Sequence, residues 1–172
     1  MKNVVTVVGI RPDFIRMSEV FKRLDDCDWC NHILIHTGQH YDYEMDSIFF
    51  EELGLDEPHY NLSIGSCNSS EQVSKIIHSV GTIIEKEDPD MVLVLGDTNS
   101  TLGGAIAAKT TGSVLGHIEA GCRSFNRQMP EEINRIITDS VSDYLFVPDE
   151  VAMKNLENEG MKGEKVILVG ST

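Results

Sequence analysis

Five segments of this chain repeat one layout: a short apolar run stops at a sharp polar loop, and a helix-like stretch follows most of them. The loops are Gly9-Ile10-Arg11-Pro12-Asp13, Thr37-Gly38-Gln39-His40, Gly96-Asp97-Thr98-Asn99-Ser100 and the segment His117 to Arg123, with Pro148-Asp149-Glu150 as the fifth. Apolar runs this continuous read as strands buried on both faces, which is the habit of parallel sheets. Strands alternating with helices predict an α/β fold with a doubly wound, mostly parallel, Rossmann-like sheet. In such a sheet the loops emerge at one edge, outside the carboxyl ends of the strands, where ligands bind. Acids and arginines spread over more than a hundred residues are thereby expected to meet in one pocket.

Strands are expected at 4–8, 32–36, 91–95, 113–118, 144–147 and 165–169. Helices are expected from Pro12 or Asp13 to Leu24, from Tyr43 to Leu53, from Thr101 to Thr111, from Pro130, and from Asp149 to Glu159. Ser69 and Gln72 make a capping-box pattern. Val73, Ile76, Ile77, Val80, Ile83 and Ile84 then recur at helical spacing until Asp88-Pro89-Asp90 breaks it. Residues 57–66 read as irregular.

The chain has 172 residues, enough for one domain with a real core. Its net charge of −14 repels polyanions, which argues against nucleic acid and anionic membrane surfaces as partners. No apolar run is long enough to span a membrane, and the first apolar run is cut short by Arg11, so a cytoplasmic location is expected. Five of the six arginines, all but Arg23, lie in or near the polar loops. Guanidinium forks match phosphate and carboxylate oxygens, so a small anionic ligand is expected.

Glu119 lies one residue past a buried strand, Asp97 lies at a strand end, and Glu131 and Glu132 follow Pro130. Asp97 has the alternative of capping the next helix. The two glutamates have the alternative of serving the helix dipole. Cys27 and Cys30 form a C-x-x-C beside Asp25, Asp26 and Asp28; these acids oppose a thiolate, so free thiols at a turn are expected. Cys122 reads as a small packing residue. His32, His36 and His40 stand four apart, but on a strand that spacing separates neighbours by about 13 Å, too far to share an ion. No metal site is expected.

Gly9-Ile10-Arg11-Pro12-Asp13-Phe14-Ile15-Arg16-Met17 resembles the Gly-Thr-Arg-Pro-Glu-x-x-Lys signature of the non-hydrolysing UDP-N-acetylglucosamine 2-epimerases. Thr37-Gly38-Gln39-His40, Gly96-Asp97-Thr98-Asn99-Ser100-Thr101, His117 to Ser124 and Met129-Pro130-Glu131-Glu132-Ile133-Asn134-Arg135 also match, in order. Residues 123–130 look closest to the branch that includes the UDP-diacetamido-uronic acid 2-epimerases. The signature departs at Ile10 for threonine, Asp13 for glutamate and Arg16 for lysine.

The resemblance implies the N-terminal half of a glycosyltransferase-B-like fold, with the active site in a cleft between two domains. It implies an isomerase that inverts C2 of a UDP-2-acetamido sugar by eliminating and re-adding UDP, with no metal or redox cofactor. By position, Asp97, Glu119 and Glu131 match the family's catalytic acids. Arg11 and Arg16 match its nucleotide-contacting cations, Gln39 and His40 fall in a region that helps bind a regulatory UDP-sugar in some members, and Arg123 joins the substrate-binding set. The full-length enzyme is expected to be a homodimer. Residues 1–172 are expected to form a single Rossmann-like N-terminal domain, without the C-terminal domain that holds most UDP contacts, and to be weakly active or inactive alone. Two other readings compete: a hydrolysing relative that releases the free sugar, and a stand-alone UDP-sugar-binding or partner-dependent half-subunit.

Overall fold

The computed structural model describes residues 1–38 and 49–172. Its elements run β1 (Lys2–Val8), α1 (Arg11–Asp25), β2 (Cys30–His36), β3 (Tyr60–Asn61), α2 (Ser69–Glu87) and β4 (Met91–Leu95). They continue through α3 (Asn99–Thr110), β5 (Leu115–Ile118), α4 (Pro130–Val141), β6 (Tyr144–Val147), α5 (Glu150–Asn158) and β7 (Val166–Leu168). Residues 49–53 are also helical; the earlier part of the helix expected from Tyr43 lies outside the described residues.

The strands form one sheet in the order β3-β2-β1-β4-β5-β6-β7. Every pairing among them is parallel. The direction of winding reverses between β1 and β4, so the loops after these two strands flank the topological switch point. Alternate residues feed opposite faces. Val5, Val7, Ile33, Ile35, Val92 and Val94 pack under α2 and α3, on Ile76, Val80, Ile84 and Ala105 among others. Val4, Val8, Leu34 and Leu93 pack with Phe14, Met17 and Phe21 of α1. Beyond them, Ala152 and Leu156 of α5 cover Leu145 and Val147.

The helix rich in alanine and glycine sits close because it lacks side-chain bulk. A Cβ on Gly103 would lie 2.5 Å from Ile76 Cγ2. On the α1 face, β4 to β6 carry Leu93, Ile118 and Phe146 into an apolar groove of about 670 Å³, with Ile15, Val20 and Trp29 on its α1 side.

Two expectations need correction. Residues 57–66 are not wholly irregular: Tyr60–Asn61 pairs with β2 as β3. The cap of α2 is Asn68, whose side chain accepts from the Glu71 N–H, and Ser69 is already inside the helix. Gln72 instead turns inward, donating to the Gly65 carbonyl and accepting from Asn99. Cys27 and Cys30 are free thiols at the α1–β2 turn. Burial, then Cys27 and Asp25, push the Cys30 thiol up. His32 and His36 lie on β2, as the spacing argument required.

Candidate active site

The loop after β4 is held from below. Thr98 caps α3, its side chain accepting from the Thr101 N–H. That leaves the Asp97 side chain free of capping, and it pairs with Arg135 of α4. Asn134 donates to the Asp97 carbonyl at 2.9 Å and fixes the loop from the same helix. A cavity of about 440 Å³ opens here, lined by Ile10, Asp97, Thr98, Asn99, Glu131 and Asn134 among others. Cavities of several hundred Å³ suit small organic ligands. The first turn of α4 therefore splits its two acids: Glu131 faces the cavity, whereas Glu132 is buried.

Glu119 follows β5 with φ of +66°, a left-handed conformation that an L side chain adopts at a cost. Its Oε2 accepts from Arg16 Nη1 at 2.6 Å. Arg16 Nη2 donates to Asp13 Oδ1 at 2.8 Å. Burial opposes the Arg16 charge, but Glu119 and Asp13 outweigh it and push its pKa up. Gly96 stands beside this pair at φ +71°, a conformation that favours glycine; a Cβ there would make only ordinary contact, 3.5 Å from both Arg16 Nη2 and Glu119 Oε2. The switch point thus brings Asp97, Glu119, Glu131 and Arg16 to one edge of the sheet.

Below them lies a buried charged network. His117 Nε2 donates to the Gly96 carbonyl at 2.8 Å, and its Nδ1 is hydrogen-bonded with Asp139 Oδ1 at 2.6 Å. Asp139 Oδ2 also accepts from the Gly121 N–H at 3.1 Å and pairs with Arg123 Nη1 at 2.7 Å. One aspartate on α4 thereby ties the loop carrying Asp97 to the loop carrying Glu119. Burial by itself would raise the Asp139 carboxyl; the hydrogen bond and charge of His117 and the pairing with Arg123 hold it below 3.8.

Arg123 is not brought to the cavity. Its side chain is 1% exposed and is engaged by Asp139 and by both carboxylate oxygens of Glu159. The polar loop placement suggested a ligand contact; the long-range partners on α4 and past α5 make it a strut instead. Arg11 stacks its guanidinium 4.8 Å from the centre of the Phe49 ring, at the start of α1. Gln39 and His40 lie outside the described residues. Cys122 packs beside the α5 cluster, and burial followed by Glu119 pushes its thiol up, which suits a packing role. Sequence reading missed Arg135, Asn134 and the His117–Asp139 pair as parts of the site. The three-residue spacing from Glu132 to Arg135 on one helix was the available signal.

A sequence model of the family described as UDP-N-acetylglucosamine 2-epimerase matches residues 22–172. A UDP-N-acetylglucosamine 2-epimerase of Methanococcus maripaludis is 47% identical over 172 residues, which is 100% of this chain and 46% of the relative. A UDP-2,3-diacetamido-2,3-dideoxy-D-glucuronate 2-epimerase of Pseudomonas aeruginosa is 48% identical over 169 residues, 97% of this chain and 48% of the relative. The crystal structure of Methanocaldococcus jannaschii UDP-GlcNAc 2-epimerase in complex with UDP-GlcNAc and UDP superposes with a TM-score of 0.93 at 46% identity, covering 99% of this chain and 47% of that one. The chain spans about half the length of the curated relatives it matches. With this match along its whole length, the chain belongs to the UDP-N-acetylglucosamine 2-epimerase family.

Proposed function

We propose that this chain supplies the N-terminal half of an epimerase that inverts C2 of a UDP-2-acetamido sugar. The observation that carries the reading is a cavity of about 440 Å³ lined by Asp97 and Glu131, with Glu119 held by Arg16 near Gly96 on the same edge of the sheet. Epimerisation at C2 needs a positioned base to take a carbon-bound proton. As that proton leaves, the C1–O bond to UDP breaks and its electron pair departs with the nucleotide. Return of UDP to C1 and of a proton to the opposite face of C2 completes the inversion. Asp97, Glu119 and Glu131 are the acids proposed to move the C2 proton.

Charge on the departing diphosphate needs cationic partners. Arg11 and Arg16 are proposed for that role, with Gln39 and His40 adding contacts to a UDP-sugar. Arg123 is left out of the set, because its guanidinium is buried against Asp139 and Glu159, whereas the paired Arg16 stays partly exposed. The remaining nucleotide contacts belong to a C-terminal half, so the chain alone is proposed to turn over poorly or not at all. A homodimer of the complete enzyme and a cytoplasmic setting are parts of the same proposal.

The test joins residues 1–172 to the C-terminal half of the M. maripaludis relative and follows UDP-N-acetylglucosamine. The expected product is the manno-configured UDP-sugar, with no free sugar released. Release of free sugar with UDP would assign the chain to the hydrolysing chemistry instead. Binding without either product would leave it a UDP-sugar-binding half-subunit.

A further inference from the structure

α1 and α4 open with the same device. Asp13 is the third residue of α1 and Arg16 the sixth; Glu132 is the third of α4 and Arg135 the sixth. Both helices carry a proline in their first two positions. In each, the acid accepts two main-chain N–H groups from the preceding loop. Asp13 Oδ2 accepts from Gly9 at 3.2 Å and Ile10 at 3.3 Å. Glu132 accepts from Ser124 at 2.9 Å and Phe125 at 2.8 Å, at a turn where Phe125 has φ +59°.

Each acid also grips the arginine one turn on. Asp13 Oδ1 takes Arg16 Nη2 at 2.8 Å, and Glu132 Oε2 takes Arg135 Nη1 at 3.0 Å. Each arginine spends its other terminal nitrogen on a site carboxylate: Arg16 on Glu119, Arg135 on Asp97. The chain of contacts is the same twice over, from loop backbone to buried acid to arginine to cleft acid. Burial falls along it. Asp13 and Glu132 are each 1% exposed, while the arginine side chains are 32% and 19% exposed.

An ionised acid is tolerated at such burial only when paired and hydrogen-bonded, as both are; burial still pushes the Asp13 carboxyl up, whereas the partners of Glu132 hold it down. A guanidinium fork held by a fixed partner presents its remaining N–H in one direction. We propose that Asp13 and Glu132 are positioning residues: each locks an arginine that aims a cleft carboxylate, Asp13 through Arg16 at Glu119 and Glu132 through Arg135 at Asp97. This rests on the reading of Glu119 and Asp97 as acids that move the C2 proton. Misplacing such a group by about 1 Å is enough to cost on the order of 100-fold in rate.

The test uses D13N and E132Q, which keep size and an acceptor oxygen but remove charge. In the joined protein each is expected to lower kcat by about 100-fold with KM changed by less than about fivefold. Asp13→Glu and Glu132→Asp keep the charge but shift it by one methylene, so each is expected to fall between its charge-removing partner and the parent in rate. The chain alone, labelled with nitrogen-15, gives a readout independent of turnover. Arg16 guanidinium Nη–H signals are expected to be resolved in the parent and averaged by rotation in D13N, with Arg135 signals unchanged; E132Q should do the reverse. Unchanged kcat in both charge-removing variants overturns the proposal. So do rate losses that the charge-keeping variants fail to lessen, or guanidinium signals that ignore both substitutions. If the joined parent turns over no UDP-sugar, the functional reading fails, and the positioning claim stands or falls on the guanidinium signals.

Discussion

Asp139→Ala is expected to destabilise the fold by about 3–5 kcal/mol, the usual cost of breaking a buried ion pair from one side. For a domain of this size that corresponds to a fall in Tm of roughly 6–20 °C. The loss is large because one carboxylate serves His117, Arg123 and the Gly121 N–H together, and its side chain is fully buried. Arg123 keeps Glu159 and the Cys122 carbonyl, but the nitrogen facing Asp139 loses its counter-charge in a buried place.

The pH dependence has a defined sign. The folded protein holds Asp139 below its usual 3.8, so the unfolded chain binds the proton more tightly. This group's stabilisation is present above pH 3.8 and is lost as the pH falls below it, toward the depressed folded value. Glu132 acts in the same direction below 4.5: burial opposes its charge, but the Ser124 and Phe125 N–H groups and Arg135 outweigh it. Thermal unfolding of parent and variant from neutral to acid pH checks both claims. A Tm within about 2 °C of the parent at neutral pH would mean that the network supports little of the fold.

Glu119→Gln and Asp97→Asn are expected to remove turnover in the joined protein, by about 100-fold to 10,000-fold for a positioned acid–base group. Neither should unfold the protein. Both side chains sit at the open edge rather than in the core, and each leaves behind an arginine still held by a buried acid. Equal Tm with lost rate is the expected pattern. Retention of the full rate by either variant would remove that residue from the reacting set.

Much of the fold was legible because its central strands are buried on both faces and its outer ones still run apolar. Runs such as Met91–Leu95 and Tyr144–Val147 advertise themselves by continuous apolar content, and both stand where the pattern put them. β3 was not legible: a two-residue strand has no pattern, and it exists because Ile35 and His36 offer an open edge. The α2 cap was read one residue late. Asn68-Ser69-Ser70-Glu71-Gln72 offers a polar cap followed three residues on by Glu or Gln in two registers, and the choice falls to Asn68 while Gln72 turns to the Gly65 carbonyl.

For the site, strand-end position was enough to put the loops of Asp97 and Glu119 at one edge, where Arg16 of α1 meets Glu119, since the topology sends both loops there. It was not enough for Arg123. A charged residue in a polar loop reads as ligand-facing until its partners are known, and Asp139 and Glu159 stand far along the chain. Arg135 stood among the loop arginines, but its pairing with Asp97 was not legible. It sits on a helix, and its contact with Asp97 spans 38 residues, so only the folded chain pairs them.

The most direct measurement follows UDP-N-acetylglucosamine by proton NMR in heavy water with the joined protein. The expected product is a manno-configured UDP-sugar carrying deuterium at C2, because the proton removed there exchanges with solvent before it returns. Epimerisation with the original hydrogen retained at C2, or a sugar left unchanged by a folded joined protein, would overturn the proposed proton transfer.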